Sequence, residues 1–575
     1  MDTNRKRIAL LAAVLSASIN LMGQTAPLNG SGARGMSPTG SYTISDIETV
    51  DNTSGNLTVR IPLASFPPGR AGQTAGVGLI YNSAIYDTAP DGFGKVNLTP
   101  STTGGGWQYS YQYSVNVEVL PTNAGACGYQ TAVVFPDGSR HVLYYWNTND
   151  LLTAAHSFDG YYGFDPRGTG GSLCQSSPSY ALPLTYHTED GTYVRVLFGA
   201  VAGGSTNWMS LPWTIYFADG SKVTGFGGQT TALIDKNNNT ITVQNFDDAG
   251  SGPTTVLTDS AQRTITIAHV LQYPGKNPVQ DTITQAGWNG STLTWNVYWT
   301  TSSPTSGSLY GCDGGVAICT RLPSNTVVDH IDAPPAGSFQ PTYTFAYSPT
   351  DSLVSSHWPA PPSPGVPTSV WGELMGIGLP SGAVVTYNYK TNDSIRQFDS
   401  LLQSPISMKA VSRCEQADQA GSTCGSTLID VWKYSSDATQ TSCTQLARNT
   451  TGPDGGTSTT CFNSSSPTTS TTRGMVTKTI APDGSTTQNS WGLNPPGNPV
   501  TGFDNASTYV HLRNPYLLQT TRSAGPTAAS TTTFGYNVNG VLKSRTEQAL
   551  TGSATRTTTT VPALAVAAGD VSAGY

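Results

Sequence analysis

A five-residue turn recurs along this chain and constrains its fold more than any other feature. Phe135-Pro136-Asp137-Gly138-Ser139 returns as Phe217-Ala218-Asp219-Gly220-Ser221 and as Ala481-Pro482-Asp483-Gly484-Ser485. Glu189-Asp190-Gly191-Thr192 and Leu379-Pro380-Ser381-Gly382-Ala383 are looser copies. The copies lie between short runs rich in Thr, Val, Ile and Tyr, residues that suit a pleated surface. Asp-Gly between two such runs predicts a hairpin with a type I′ turn, whose central residues both take positive φ. The spacing is too irregular for a strict solenoid. The expected class is all-β: many short antiparallel hairpins forming a large twisted sheet or partial β-shell, with few helices.

Composition supports strands and turns. Charged residues are 11% of the 575, against about 25% in an average soluble domain. Gly (62), Pro (38) and Tyr (27) are plentiful, and Gly and Pro punctuate β structure. The formal net charge is −7 and no basic stripe is visible, which excludes nucleic acid as an expected partner.

Residues 1–23 have the architecture of a secretory signal peptide. Arg5-Lys6-Arg7 precedes the apolar run Ile8 to Leu15, and Gly23-Gln24 offers a cleavage point. The run is shorter than the ~20 apolar residues of a spanning helix, and no later segment is long enough. The expected location is secreted: extracellular, cell-surface or periplasmic, with no membrane span after signal removal. Eight cysteines behind such a signal fit disulfides. Local pairs are Cys312–Cys319, Cys414–Cys424 and Cys443–Cys461, leaving Cys127 with Cys174. There is no C-x-x-C, so no metal site is expected.

The organisation reads as a flexible lead-in (24–47), a β-rich domain (48–355), a Pro-rich linker or loop (356–368), a second β-rich region (369–549) and a disordered tail (550–575). One short helix is expected around Ile395 to Leu402. Residues 414–475 read as disulfide-pinned loops with little core.

Glu48 to Ser83 holds two alternating strand patterns, Asn56 to Leu63 and Val77 to Tyr81, around a Pro/Gly-rich turn. This segment resembles the opening of bacterial RHS-repeat (YD-repeat) proteins, where a G-N-L-x-V-x-I-P-L strand leads to an L-x-Y-N-S strand. Gly105-Gly106-Trp107 is similar to that family's Gly-Trp segment, and Asp137-Gly138-Ser139-Arg140-His141 to its D-G-S-R-H hairpin. Asp235 to Ile241 resembles D-x-x-G-N-x-I, with Asn238 in the Gly place. Tyr536-Asn537-Val538-Asn539-Gly540-Val541-Leu542 is similar to one YD repeat, with Asn537 for Asp. The resemblance implies a secreted scaffold whose sheet curls into a hollow shell. The long repeat array, the D-P-x-G-L core motif and a C-terminal effector domain are not found in this sequence.

No catalytic, cofactor-binding or metal-binding residue is assigned. The seven histidines show no paired spacing, and no G-x-S-x-G, Walker A or G-x-G-x-x-G occurs. Asp235-x-Asn237-x-Asn239 lacks the Gly and Glu that a calcium loop needs, with Thr240 and Phe246 in those places. His330 beside Asp329 and Asp332 reads as a solvated loop. The eleven tryptophans read mainly as core filling. Trp295 and Trp299, on one strand face, are the place to seek an exposed aromatic pair. The expected function is a non-catalytic β-scaffold that meets a protein or glycan partner. Two alternatives are a carbohydrate-binding or carbohydrate-processing cell-wall protein, and a truncated remnant of a longer toxin-delivery protein.

Overall fold

The computed structural model describes residues 36–559, apart from 37–39, 46, 53, 68–74, 91–95, 102–104, 121–127, 146–183, 189, 200–210, 249–251, 273–276, 303–323, 349–350, 356–371, 390–405, 413–427, 438–442, 444–445, 464–474, 494–514, 525–528, 537–541 and 549–554. The fold is almost entirely β. Twenty-seven strands, from Ser114–Leu120 to Thr555–Thr559, form one antiparallel meander in which each strand pairs with the next. A separate five-stranded sheet comprises Tyr42–Ile44, Glu48–Asp51, Leu57–Phe66, Ala75–Asn82 and Gly106–Tyr109. Among the described residues, helix is confined to Ser352–Ser355 and the 3-10 turn Trp288–Gly290.

The recurring turn forms hairpins, but not of type I′. In 135–139, 217–221 and 481–485 the first residue's N–H bonds the fifth C=O, and the fourth N–H bonds the first C=O. Only the fourth residue has positive φ: Gly138 79°, Gly220 89°, Gly484 81°. This is a three-residue loop, a type I turn closed by a left-handed bulge residue. The aspartate stays right-handed because its carboxylate caps the turn. Asp137, Asp219 and Asp483 Oδ1 accept the N–H of Ser139, Ser221 and Ser485 at 3.0, 2.9 and 2.9 Å. The same backbone bonds close 235–239, 259–263, 379–383 and 452–456. There Asn238, Gln262, Gly382 and Gly455 take the left-handed place.

The meander is rolled around the smaller sheet. Leu57, Val59, Ile61, Leu79 and Tyr81 share one core with Ile265, Ile283, Val297, Ile331, Ile377 and Tyr387. Polar contacts from the small sheet and its loops reach from the 135–139 turn to Lys409. The strands between, from Arg140–Tyr145 to Ile406–Ser412, number sixteen. Laid flat they span about 70 Å, whereas five strands span about 20 Å. Only a curled sheet brings both ends of that run to the small one. Farther along, a Cβ on Gly191 would lie 3.1 Å from the Pro515 carbonyl oxygen, so the turn before Arg195–Phe198 meets the start of Pro515–Ser523.

A second core fills the early meander, with Val115, Val133, Leu143, Tyr186, Val196, Phe198, Trp213 and Ile215 buried together. The Pro-rich stretch interrupts neither sheet nor core: Thr342–Ala346 pairs directly with Gly376–Gly378. Three sequence expectations are corrected. Tyr42–Ile44 is a strand within the lead-in, tied to Glu48–Asp51. Thr555–Thr559, within the expected tail, pairs with Leu542–Gln548. Residues 414–475 contain the strands Leu428–Asp437, Leu446–Thr451 and Thr457–Phe462, because their Thr and Ser side chains satisfy ladder neighbours as well as loops do. The Cys443–Cys461 disulfide forms as expected. The signal peptide, the 356–368 segment, the Ile395 to Leu402 helix and the other six cysteines lie outside the described residues.

Candidate functional site

The sequence motifs scattered over residues 48–141 converge at the junction of the two sheets. Leu57–Phe66 pairs with Ala75–Asn82, and Tyr81 stands opposite Trp107. Asn56 Nδ2 donates to Asn82 Oδ1 at 3.0 Å, and Asn82 Nδ2 donates to the Asp137 carbonyl at 2.8 Å. Leu57 N–H donates to Ser83 Oγ at 2.9 Å. The Gly-Asn-Leu, Tyr-Asn-Ser and Asp-Gly-Ser segments thus form one buried chain of amides. Trp107 packs on Tyr81 and Phe345, and its Nε1 donates to Tyr347 Oη at 2.8 Å.

Three buried ionisable clusters fasten the junction. In the first, Asp281 is fully enclosed in the shell and accepts Tyr109 Oη at 2.6 Å from the inner sheet. Its carboxylate also accepts Trp299 Nε1 at 2.9 Å and faces His269 Nδ1 at 2.7 Å. Burial, then the Asp281 charge, holds the Tyr109 hydroxyl well above the usual phenol range. Buried carboxylates need such donors, because an uncompensated charge is costly.

The second joins Glu48 of the inner sheet to Lys409 and Tyr387 of the shell. Ser45 Oγ adds a bond to Glu48 at 2.8 Å. Burial pushes the Tyr387 hydroxyl well up.

The third has the composition of a hydrolase triad. His141 Nε2 lies 3.0 Å from Ser139 Oγ, and Nδ1 lies 2.6 Å from Asp190 Oδ2. Nucleophile chemistry needs a Ser hydroxyl that gives its proton to the base and an open path for substrate. Here the Ser139 hydroxyl donates to Asp137 Oδ1 at 2.6 Å and is completely buried. Each ring nitrogen is thus taken up by one neighbour, Ser139 or Asp190. The cluster therefore clamps the 135–139 turn to Asp190. Burial raises the Asp190 pKa, but the His141 charge and bonds from His141 and Thr192 outweigh it and hold the carboxyl below its usual range.

Residues singled out in the sequence fall elsewhere. Asp235 is a turn cap, accepting N–H groups of Asn237 and Asn239 at 2.8 Å each. Trp295 is buried and Trp299 half-buried against the core, so neither forms an exposed pair. Among the described residues the exposed tryptophan is Trp288, 86% accessible at a hairpin tip. His330 lies on the strand Asn325–Asp332 rather than in a loop, 2.6 Å from Asp329. Among the described residues no three His, Cys, Asp or Glu side chains are placed to hold a metal ion, and no helix is long and apolar enough to cross a membrane. Sequence reasoning missed Asp281 and His269. Their opposed register, fourth pair in a long hairpin, has no local motif to reveal it.

No family model and no curated protein matches the chain. Among solved structures it is similar to a TcdB2-TccC3 complex at 10% identity and TM-score 0.23, covering 89% of this chain and 27% of that one. It is also similar to the Tc holotoxin pore of Photorhabdus luminescens with a TccC3-D651A mutation, at 9% identity and TM-score 0.23, over 90% and 26%. A porin-like protein of Bacteroides uniformis gives 10% identity and TM-score 0.14, over 67% and 91%. The chain spans about a quarter of the first two chains. Likenesses this low carry no argument about function.

Proposed function

We propose that this chain is a non-catalytic β-shell scaffold, acting as the shell segment of a secreted delivery system of the RHS/YD-repeat kind. The observation that carries the reading is the inner sheet, bonded to strands spread across sixteen positions of the meander. Such an anchor fixes the curvature of a sheet whose own twist only tends to coil it. The converging Gly-Asn-Leu, Tyr-Asn-Ser, Gly-Trp and Asp-Gly-Ser motifs support it, because all are spent on that anchor rather than on chemistry. The polypeptide purified from its native secretions tests the idea. It is expected in a large particle holding a second polypeptide that resists added protease. A small particle with no protected polypeptide would reject the proposal.

A further inference from the structure

The outer face of the shell carries a patch that the shell reading does not use. Val270, Gln280, Tyr298 and His330 are successive cross-strand partners on four adjacent strands. The next row is Ala268, Thr282, Asn296 and Asp332. Alternation puts both rows opposite the buried Ile267, Ile283, Trp295, Val297 and Ile331.

The patch is preorganised. Gln280 Nε2 donates to Thr282 Oγ1 and Asn296 Oδ1 at 3.3 and 3.2 Å, and Thr282 Oγ1 donates to Asn296 Oδ1 at 3.1 Å. The Tyr298 and His330 rings stack with centroids 4.1 Å apart and planes 15° apart. The register slips between Tyr298 and Trp299, so Asp329 is an extra residue on its strand. Bulges re-aim side chains in this way. Here the Asp329 carboxylate meets His330 Nδ1 at 2.6 Å while remaining 54% exposed. Val270 is an exposed apolar neighbour in the same row.

We propose that this patch binds a neutral, hydroxyl-rich glycan. The amides of Gln280 and Asn296 and the Asp329 carboxylate offer donors and acceptors suited to sugar hydroxyls. Val270 and the Tyr298 ring offer apolar surface for sugar C–H faces. Neither row contains Lys or Arg, and Asp329 and Asp332 border the patch. An anionic polymer would meet two carboxylates there and no Lys or Arg, which favours a neutral one. The proposal is independent of what the shell encloses.

Native gel electrophoresis of the full chain, in gels cast with a soluble β-glucan, a galactomannan, a xyloglucan or dextran, tests it. Migration should be slowed in at least one gel. Tyr298→Ala and the near-isosteric Thr282→Val should each weaken that retardation, the first by about tenfold or more. Trp288→Ala, at a distant tip, should not. Unslowed migration in every gel would overturn the proposal, as would retardation that survives both variants. Concentration-dependent self-association in sedimentation, abolished by Tyr298→Ala, would assign the face to a second copy and overturn it too.

Discussion

Tyr109 and Asp281 lie 172 residues apart in sequence, yet the tyrosine hydroxyl donates to the carboxylate at 2.6 Å in a fully buried setting. One belongs to the inner sheet and the other to the shell. Tyr109→Phe keeps the ring packing on Tyr111 and removes only this bond. A hydrogen bond to a charged group contributes about 1.5–3 kcal/mol. The unfolding midpoint in urea should fall accordingly, and an unchanged midpoint would show that the junction does not depend on this bond.

Acid should weaken the hairpins and the clamp together. Asp190, Asp235 and Asp259 are held below the usual carboxylate range, because bonds from His141, Asn239 and Arg263 outweigh the opposing effect of burial. A carboxylate with a lowered folded pKa stabilises the fold above its unfolded value, and that stability is lost as pH falls through the folded value. Stability should therefore hold from neutrality down to about pH 4 and decline below it. The Asp259→Asn variant should be weaker at pH 7 and show a shallower acid decline, read from urea midpoints across pH.

The Cys443–Cys461 bridge, of sequence separation 18, ties the segment just before Leu446–Thr451 to the neighbouring strand Thr457–Phe462. Loop closure of this length gives about 3 kcal/mol. The Cys443→Ser, Cys461→Ser double variant should lose about that much, with hydrogen exchange rising first in Leu446–Thr451 and Thr457–Phe462. Alkylation of the native protein without unfolding should label neither Cys443 nor Cys461.

Gln262 sits at the left-handed place of the 259–263 turn with φ 62°, a conformation that costs a residue with a Cβ about 1–2 kcal/mol. Gln262→Gly relieves that and adds some unfolded-state entropy. The net expectation is a gain of up to about 1 kcal/mol in thermal or chemical unfolding, whereas the same change at an ordinary strand position destabilises.

Much of the fold was legible because its determinants are local. Asp-Gly-Ser turns and β-branched runs announce hairpins, and Cys443 and Cys461 announced their bridge by proximity. The turn subtype was misread because Asp-Gly suits two loops. The backbone bonds of 135–139, with the Asp137 carboxylate on Ser139 N–H, show which one forms. The junction was half legible. The conspicuous residues Asn56, Asn82, Trp107 and Asp137 are those that meet there, but their meeting is a long-range event. Asp281 and Glu48 look like any surface acid in sequence. Their burial depends on Tyr109, Trp299 and Lys409, which pairing brings from far along the chain.

The central claim is that the meander is rolled, and one distance tests it most directly. Spin labels introduced as unnatural residues at Tyr193, just before the strand Arg195–Phe198, and at Tyr536, the last residue of Ala529–Tyr536, lie twenty strands apart in the meander. In the rolled sheet Gly191, two residues before Tyr193, lies against Pro515, and Tyr536 packs on the adjacent Tyr516 with ring centroids 5.4 Å apart. A dipolar distance far shorter than the flat-sheet span is expected. A value near about 90 Å, the span of that many strands laid flat, would contradict the account.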